Sequence, residues 1–125
     1  MVYYFKKFYF VVLVCLLFSC GNKSVQDYID DGIRYTEEQK YDKAMASFKK
    51  AIESDPANAH AHYTLGGIYT YKDMNQKAME EYKRTIELDS TYSAAHYSLG
   101  FVYDKMGLKE KAKQEYLIFE GFKNK

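Results

Sequence analysis

Apolar side chains recur along residues 25–54 in two stretches, each with the spacing of one helix face. In the first stretch, from Val25 to about Glu38, they fall close to the 3.6-residue period of an α-helix. The second stretch runs from about Asp42 to Ser54, and Asp55-Pro56 ends it because the residue before proline avoids the α region. The two apolar faces consist of Tyr28, Ile29, Ile33 and Tyr35, and of Ala44, Met45, Phe48, Ala51 and Ile52. The pattern predicts two amphipathic helices joined by a short turn.

The same arrangement returns twice more, at intervals of 34 residues. Gly32, Gly66 and Gly100 keep this interval, and each is followed at fixed distances by a tyrosine, an alanine and an aromatic residue. These are Tyr35, Tyr69 and Tyr103; Ala44, Ala78 and Ala112; and Phe48, Tyr82 and Tyr116. A glycine inside a helix costs about 1 kcal/mol relative to alanine, so its recurrence needs a packing reason. We expect Gly32 to face Ala44 across the turn, where the two helices approach closely. Repeats of this length indicate stacked helical hairpins, which typically bind other proteins along an extended surface.

Taken in order, these residues resemble the tetratricopeptide repeat, whose pattern is Trp, Leu-Gly, Tyr, Ala, Phe, Ala and Pro. The resemblance is carried by Asp31-Gly32 to Pro56, by Leu65-Gly66 to Tyr82 and by Leu99-Gly100 to Tyr116. It implies an all-α fold, a right-handed superhelix of three tandem helix-turn-helix repeats over residues 25–58, 59–92 and 93–125. Asp31 stands where the family prefers Leu, which we attribute to a first helix without a neighbour on its outer side. Tyr28, His62 and His96 occupy the Trp position.

The first 20 residues contain Lys6 and Lys7 and no acidic residue, followed by an apolar run from Phe8 to Phe18. Such a run is too short to cross a bilayer as a helix, which needs about 20 residues, and indicates a secretory signal. It ends in Leu17-Phe18-Ser19-Cys20-Gly21, which resembles the lipobox of bacterial lipoproteins. The resemblance implies that residues 1–19 are removed, that Cys20 is acylated, and that residues 20–24 form a short tether. The protein would then lie on the periplasmic side of the inner or the outer membrane. An ordinary cleaved signal or an uncleaved anchor is the alternative.

The net charge, the cysteines and the histidines bear on which partners, cofactors and activities are expected. The chain has 18 basic and 17 acidic residues, and removal of residues 1–19 leaves 16 and 17. This balance, without a basic stripe, does not suggest a nucleic-acid partner. Cys15 would leave with the signal and Cys20 would be acylated, so we expect no disulfide. The three histidines, His60, His62 and His96, are not spaced to converge on a metal ion, and we predict no metal, no cofactor and no enzymatic activity.

In the tetratricopeptide family, the first helix of each repeat lines a concave groove that binds peptides. The resemblance places in this groove Gln26, Ile29 and Ile33; His60, Tyr63 and Gly67; and Ala94, Tyr97 and Phe101. The Lys, Asn and Arg residues with which some family members clamp a terminal carboxylate are absent from these positions. A groove of Ile, Tyr and Phe suits an apolar or aromatic peptide, or a helix of a partner protein. For Tyr63 and Tyr97, packing between repeats is the alternative.

The third repeat differs from the others on the outer side of its second helix. Lys49-Lys50 and Lys83-Arg84 in the first two repeats correspond to Leu117-Ile118 in the third. Together with Phe119 and Phe122 they form an apolar segment where repeat arrays normally carry a polar cap. This segment either closes the core or forms an interface with a partner protein or a second copy.

Taken together, these patterns predict a membrane-tethered, non-catalytic adaptor of the bacterial envelope. The alternative is a structural subunit that self-associates or stacks through its C-terminal helix.

Overall fold

The computed structural model describes residues 23–124 and folds them into six α-helices. These are α1 (Val25–Glu37), α2 (Tyr41–Ser54), α3 (Ala59–Tyr71), α4 (Asn75–Leu88), α5 (Ser93–Lys105) and α6 (Lys109–Lys123). No strand occurs in this range, and consecutive helices pair as α1–α2, α3–α4 and α5–α6. The predicted all-α fold of three helical hairpins is confirmed. The first helices begin at Val25, Ala59 and Ser93, where the three proposed repeats begin.

The segment proposed as signal peptide, with Cys20, lies outside the described residues. None of the helices between residues 23 and 124 has both the length and the apolar character needed to cross a membrane.

Helix α1 begins with a capping box at Ser24. Its hydroxyl accepts a hydrogen bond from the backbone N–H of Asp27 at 3.1 Å, and the Asp27 carboxylate accepts one from the Ser24 N–H at 2.8 Å. The hydrogen bonds that the Asp27 carboxylate accepts from the N–H and, at 2.9 Å, from the hydroxyl of Ser24 lower the pKa of Asp27.

Each hairpin turns through one residue with a left-handed backbone. These residues are Gln39 (φ 59°), Asp73 (φ 57°) and Gly107 (φ 75°), which are again 34 positions apart. The N–H of the next residue donates to the carbonyl of the repeated tyrosine, at 2.8 Å for Lys40 to Tyr35. This is the hydrogen bond of a Schellman motif, which satisfies a carbonyl at the end of the first helix. The backbone of the turn therefore repeats although its side chains do not.

The repeated glycines make room for an aromatic ring. A Cβ atom added to Gly66 would lie 2.7 Å from the ring of Tyr82, and one added to Gly100 would lie 2.7 Å from the ring of Tyr116. Gly32 stands in the same close relation to Phe48. The side chain nearest to Gly32 is therefore the Phe48 ring, and the expected approach of Gly32 to Ala44 stays a prediction. The repeated alanines are fully buried in the core.

The core runs through all three hairpins without interruption. Its buried members are Ala44, Phe48, Leu65, Ile68, Tyr69, Ala78, Tyr82, Leu99, Val102, Tyr103 and Ala112. Leu65 and Leu99 are buried in it, whereas Asp31 at the same repeat position is half-buried and forms ion pairs with Lys23 and Arg34. The outer surface of α1 therefore carries paired charges at Asp31, which accounts for the departure from Leu at this repeat position.

Candidate functional site

The nine predicted groove residues fall on the first helices α1, α3 and α5, and six of them are exposed. The exposed residues are Gln26, Ile33, His60, Gly67, Tyr97 and Phe101. Tyr97 and Phe101 lie one turn apart on α5 and expose 51% and 44% of their surface. Large apolar groups therefore remain open to solvent along this face.

Ile29 does not belong to this surface. It is 1% exposed and packs with Ala51 of α2 and Ala61 of α3 in a small buried cluster. A partner in the groove could not reach its side chain. Ile29 is therefore a core residue, which corrects its assignment to the groove.

Two groove tyrosines also pack within the array. Tyr63 is half-buried, with its ring centroid 5.7 Å from that of Tyr82 and 4.9 Å from that of Tyr92. The Tyr92 hydroxyl in turn forms a hydrogen bond of 2.8 Å with Nδ1 of His60. Tyr97 contacts the rings of Tyr116 and Phe119, at 5.6 Å and 5.1 Å between centroids. Packing therefore fixes the orientation of both side chains, and only Tyr97 keeps about half of its surface free.

A cleft of about 410 Å³ opens between the first and second repeats. Ile33 and Thr36 of α1 and Tyr41 and Phe48 of α2 line one side of it. Thr64, Gly67, Ile68 and Tyr71 of α3 line the other. None of these side chains carries a charge. The rings of Tyr41 and Tyr71 stack with their centroids 4.0 Å apart, and the hydrogen bond with Tyr71 raises the pKa of Tyr41. The cleft is therefore an uncharged pocket with aromatic and aliphatic walls.

Gly67 keeps this cleft open. Ile33, Gly67 and Phe101 share one repeat position, so the central glycine lies between two large apolar residues of the neighbouring repeats. A Cβ atom at Gly67 would come no closer than 4.0 Å to another side chain, the Tyr82 hydroxyl. The space above Gly67 is therefore available to a side chain from outside.

Sequence analysis found Ile33 and Gly67 but missed the other six residues of the cleft. Thr36 and Tyr71 follow Ile33 and Gly67 by about one helical turn, so a wider helical face would have included them. Tyr41 and Phe48 come from the second helix, which the groove assignment had left out. Phe48 had been interpreted only as core packing, and its ring, although only 2% exposed, also forms part of the cleft wall.

One repeat further along, more polar residues occupy the positions of the three aromatic residues of the cleft. Phe48, Tyr41 and Tyr71 correspond to Tyr82, Asn75 and Lys105. The Tyr82 hydroxyl forms a hydrogen bond of 3.1 Å with Thr70, and Oδ1 of Asn75 is buried without a partner among the described residues. The groove therefore changes along its length from an apolar cleft to a surface with hydrogen-bonding groups.

The histidines at the Trp position have a structural use. Nδ1 of His62 lies 2.7 Å from a carboxylate oxygen of Glu81, and His96 forms the same contact with Glu115. Both histidines are buried, and each pair joins the first helix of a repeat to the second. Sequence analysis missed these partners, although Glu81 and Glu115 are also 34 residues apart. Among residues 23–124, no three His, Cys, Asp or Glu side chains converge as a metal site would require.

The apolar segment of α6 divides into two parts. Phe119 is half-buried against Tyr97, and Phe122 is half-buried with its ring 5.8 Å from that of His96. Leu117 and Ile118 are 63% and 44% exposed. Closure of the core therefore accounts for the two phenylalanines but not for Leu117 and Ile118.

Comparison with known proteins agrees with this geometry. A family model described as TPR repeat matches residues 32–72 and 66–107, together more than half of the chain. The crystal structure of MamA superposes with a TM-score of 0.77 at 33% identity, over 80% of this chain and 58% of that one. This chain thus spans little more than half of the MamA structure.

The second TPR of Spaghetti (RPAP3), bound to the HSP90 peptide SRMEEVD, superposes with a TM-score of 0.78 at 24% identity. The match covers 80% of this chain and 93% of that one, and at this identity it shows the fold alone. No curated protein matches the sequence.

Proposed function

Because the chain belongs to the tetratricopeptide-repeat family, whose members generally mediate protein–protein interactions, we propose that it is a non-catalytic, membrane-tethered adaptor. Its groove would bind a peptide or helix of a partner protein through an aromatic or branched aliphatic side chain. The observation that carries this proposal is the uncharged cleft beside Gly67, which is lined by Ile33, Phe48 and Tyr71 among others. A cavity of about 410 Å³ is large enough for such a side chain.

Apolar burial would supply most of the affinity. Full burial of a Leu or Phe side chain contributes about 1.5–3 kcal/mol, and the cleft offers no charge for an ion pair. Phe101 and Tyr97 on α5 would extend the apolar contact beyond the cleft. Asn75 and Thr70 occupy the positions one repeat after Tyr41 and Thr36. The affinity should therefore depend little on salt.

The expected ligand differs from the one in the RPAP3 structures. The peptide SRMEEVD bound there carries three acidic side chains. In this chain, the nine predicted groove positions on the first helices contain no Lys, Asn or Arg. We therefore expect the partner segment to be apolar at its anchor rather than acidic.

Tethering to a membrane is supported by the segment that resembles a lipobox and ends at Cys20. Lys23, the first described residue, lies three positions after Cys20, a distance that an extended chain spans in about 11 Å. An acylated Cys20 would therefore hold the first hairpin close to the bilayer. The periplasmic side of a bacterial membrane is the location that this anchor implies.

Peptide selection on the full-length protein in detergent micelles would test the groove. We expect enriched peptides to contain aromatic or branched aliphatic residues, and Gly67→Phe to weaken their binding at least about tenfold by filling the cleft. Lys83→Phe adds the same side chain at an exposed position of α4 and should leave the affinity unchanged. Enrichment of acidic peptides, or full affinity in Gly67→Phe, would reject the proposed mode of binding.

A further inference from the structure

At three repeat positions, α6 is charged where α2 and α4 are apolar, or apolar where they are charged. Met45 and Ile52 of α2, and Met79 and Ile86 of α4, are half-buried and pack against the core. The equivalent residues of α6 are Lys113 and Glu120, and both are exposed. Conversely, Lys49 and Lys83 are exposed charged residues whose equivalent in α6 is Leu117. These three positions lie on one face of each helix, so the order apolar–charged–apolar of α2 and α4 becomes charged–apolar–charged in α6.

This exchange makes a further repeat of the same kind an unsuitable neighbour for α6. A first helix stacked as α3 and α5 are would bury Lys113 and Glu120, and buried charges are costly unless they are paired. Tyr116 at this end donates a hydrogen bond of 3.0 Å to Asp104, and its burial together with Asp104 raises its pKa to about 12. The side of α6 on which a further repeat would stack therefore carries charged and hydrogen-bonding groups around the exposed Leu117.

The row Lys113, Leu117 and Glu120 is complementary to itself. Residues at i, i+4 and i+7 lie on one face of a helix, so these three side chains form a line with Leu117 near its middle. When the same line runs antiparallel beside itself, Leu117 meets Leu117, and each Lys113 meets the Glu120 of the other copy. We propose that α6 pairs antiparallel with α6 of a second copy of this chain, about a two-fold axis at Leu117.

The residues around Leu117 leave room for the helix of a second copy. Gly121, one turn further on, has no other side chain within 4 Å of where its Cβ would be, so a neighbouring helix could come close. Ile118 is exposed beside it, whereas Phe119 packs inward against Tyr97 and would not need to move. Glu120 pairs with Lys123 at 3.0 Å, but exposed pairs of this kind contribute about 0–1 kcal/mol and exchange readily.

The pairing predicts an isologous dimer in equilibrium with the monomer. A two-fold axis places one surface of both copies in contact, so every interaction occurs twice. A single pair of helices buries less area than a stable dimer usually requires, which makes the dimer dependent on concentration. The groove of each copy would stay open, because its exposed residues lie on α1, α3 and α5 rather than on α6.

Disulfide cross-linking of the full-length protein in membranes would test this arrangement. We expect Leu117→Cys to form about tenfold more disulfide-linked dimer on mild oxidation than Lys83→Cys, which is exposed at the equivalent position of α4. The unsubstituted chain gives the background from Cys15 and Cys20. If Leu117→Cys yields no more dimer than Lys83→Cys, no second copy binds at α6 and the proposal fails.

Charge reversal tests the register. In the Leu117→Cys background, Lys113→Glu should reduce the dimer about tenfold because it places like charges together twice. Adding Glu120→Lys should restore the dimer to near its original amount, with unchanged helicity in every variant. Cross-linking that Lys113→Glu leaves intact, or that the double reversal fails to restore, would overturn the antiparallel two-fold pairing.

Discussion

At the scale of single residues, two adjacent glycines of α3 have opposite surroundings. A Cβ atom on Gly66 would lie 2.7 Å from the ring of Tyr82, whereas one on Gly67 would meet nothing closer than 4.0 Å. We expect Gly66→Ala to lower the free energy of unfolding by about 1–3 kcal/mol through overpacking. Gly67→Ala should raise it by about 0.5–1 kcal/mol, because alanine favours the helix. Chemical denaturation of the two variants checks this directly, and equal stabilities would mean that α3 is packed the other way round.

The left-handed turn residues give a second prediction at this scale. Gln39 adopts φ 59°, a conformation that costs a residue with a side chain about 1–2 kcal/mol. Gln39→Gly should therefore stabilise the protein by about 1 kcal/mol, whereas Gly107→Ala should destabilise it by a similar amount. Asp73→Gly should gain less, because Asp tolerates this conformation and Asp73 pairs with Lys105. Denaturation midpoints of the three variants should follow this order, and a loss of stability in Gln39→Gly would contradict it.

The sequence indicated which residues matter for the fold better than it indicated what they touch. The 34-residue interval identified Gly32, Gly66 and Gly100, because a costly residue that recurs must have a structural reason. It did not show that the Phe48 ring is the side chain nearest to Gly32, since Ala44 recurs at the same interval. It also did not reveal the left-handed turns, because Gln39 and Asp73 are not glycines and carry no local signal.

At the scale of the helix, α6 combines a structural side and an exposed side. Phe119 packs on Tyr97, whereas Leu117 and Ile118 are 63% and 44% exposed. Replacing both exposed residues by Lys, which restores the character of α2 and α4, should change the free energy of unfolding by less than about 0.5 kcal/mol per site. Phe119→Ala should lower it by about 2 kcal/mol or more.

Thermal melts at low protein concentration, where α6 is not paired, would measure both effects. If the double lysine variant loses as much stability as Phe119→Ala, Leu117 and Ile118 belong to the core after all. The pairing of α6 would then lose its apolar centre. If Leu117 and Ile118 form the dimer surface, we expect a small effect on stability together with loss of the concentration-dependent dimer in a size measurement.

Helix positions could be predicted closely from the apolar pattern, whereas the face that a helix exposes could not. The second helix was expected from about Asp42 and begins at Tyr41, and both descriptions end it at Ser54. Ile29 was placed in the groove because it shares a repeat position with Tyr63 and Tyr97. Its burial depends on Ala51 of α2 and on Ala61 in the next repeat, which pack against it. Such a contact between repeats leaves no periodic signal within either helix.

At the scale of the whole molecule, the groove and the α6 surface depend on one continuous core. The buried cluster extends from Ala44 to Ala112, so the cleft between α1 and α3 exists only while the repeats are stacked. The charged closure at Asp31 and the exposed Leu117 lie at opposite ends of this stack of hairpins. A partner in the groove and a second copy at α6 could therefore bind the same molecule together.

The proposed anchor determines where these two surfaces would operate, and Cys20 is the residue that decides it. Cys20→Ser should abolish lipid attachment, because it removes the thiol that would be acylated. The variant should move from the detergent phase to the aqueous phase, or remain uncleaved at the mass of the precursor. Cys15→Ser is the matched control, since Cys15 lies inside the apolar run and should not affect processing. Intact mass spectrometry of the unsubstituted protein gives the clearest result. A chain that begins at Cys20 and carries acyl chains supports the tethered adaptor, whereas the unmodified mass of all 125 residues would replace it with an uncleaved N-terminal anchor.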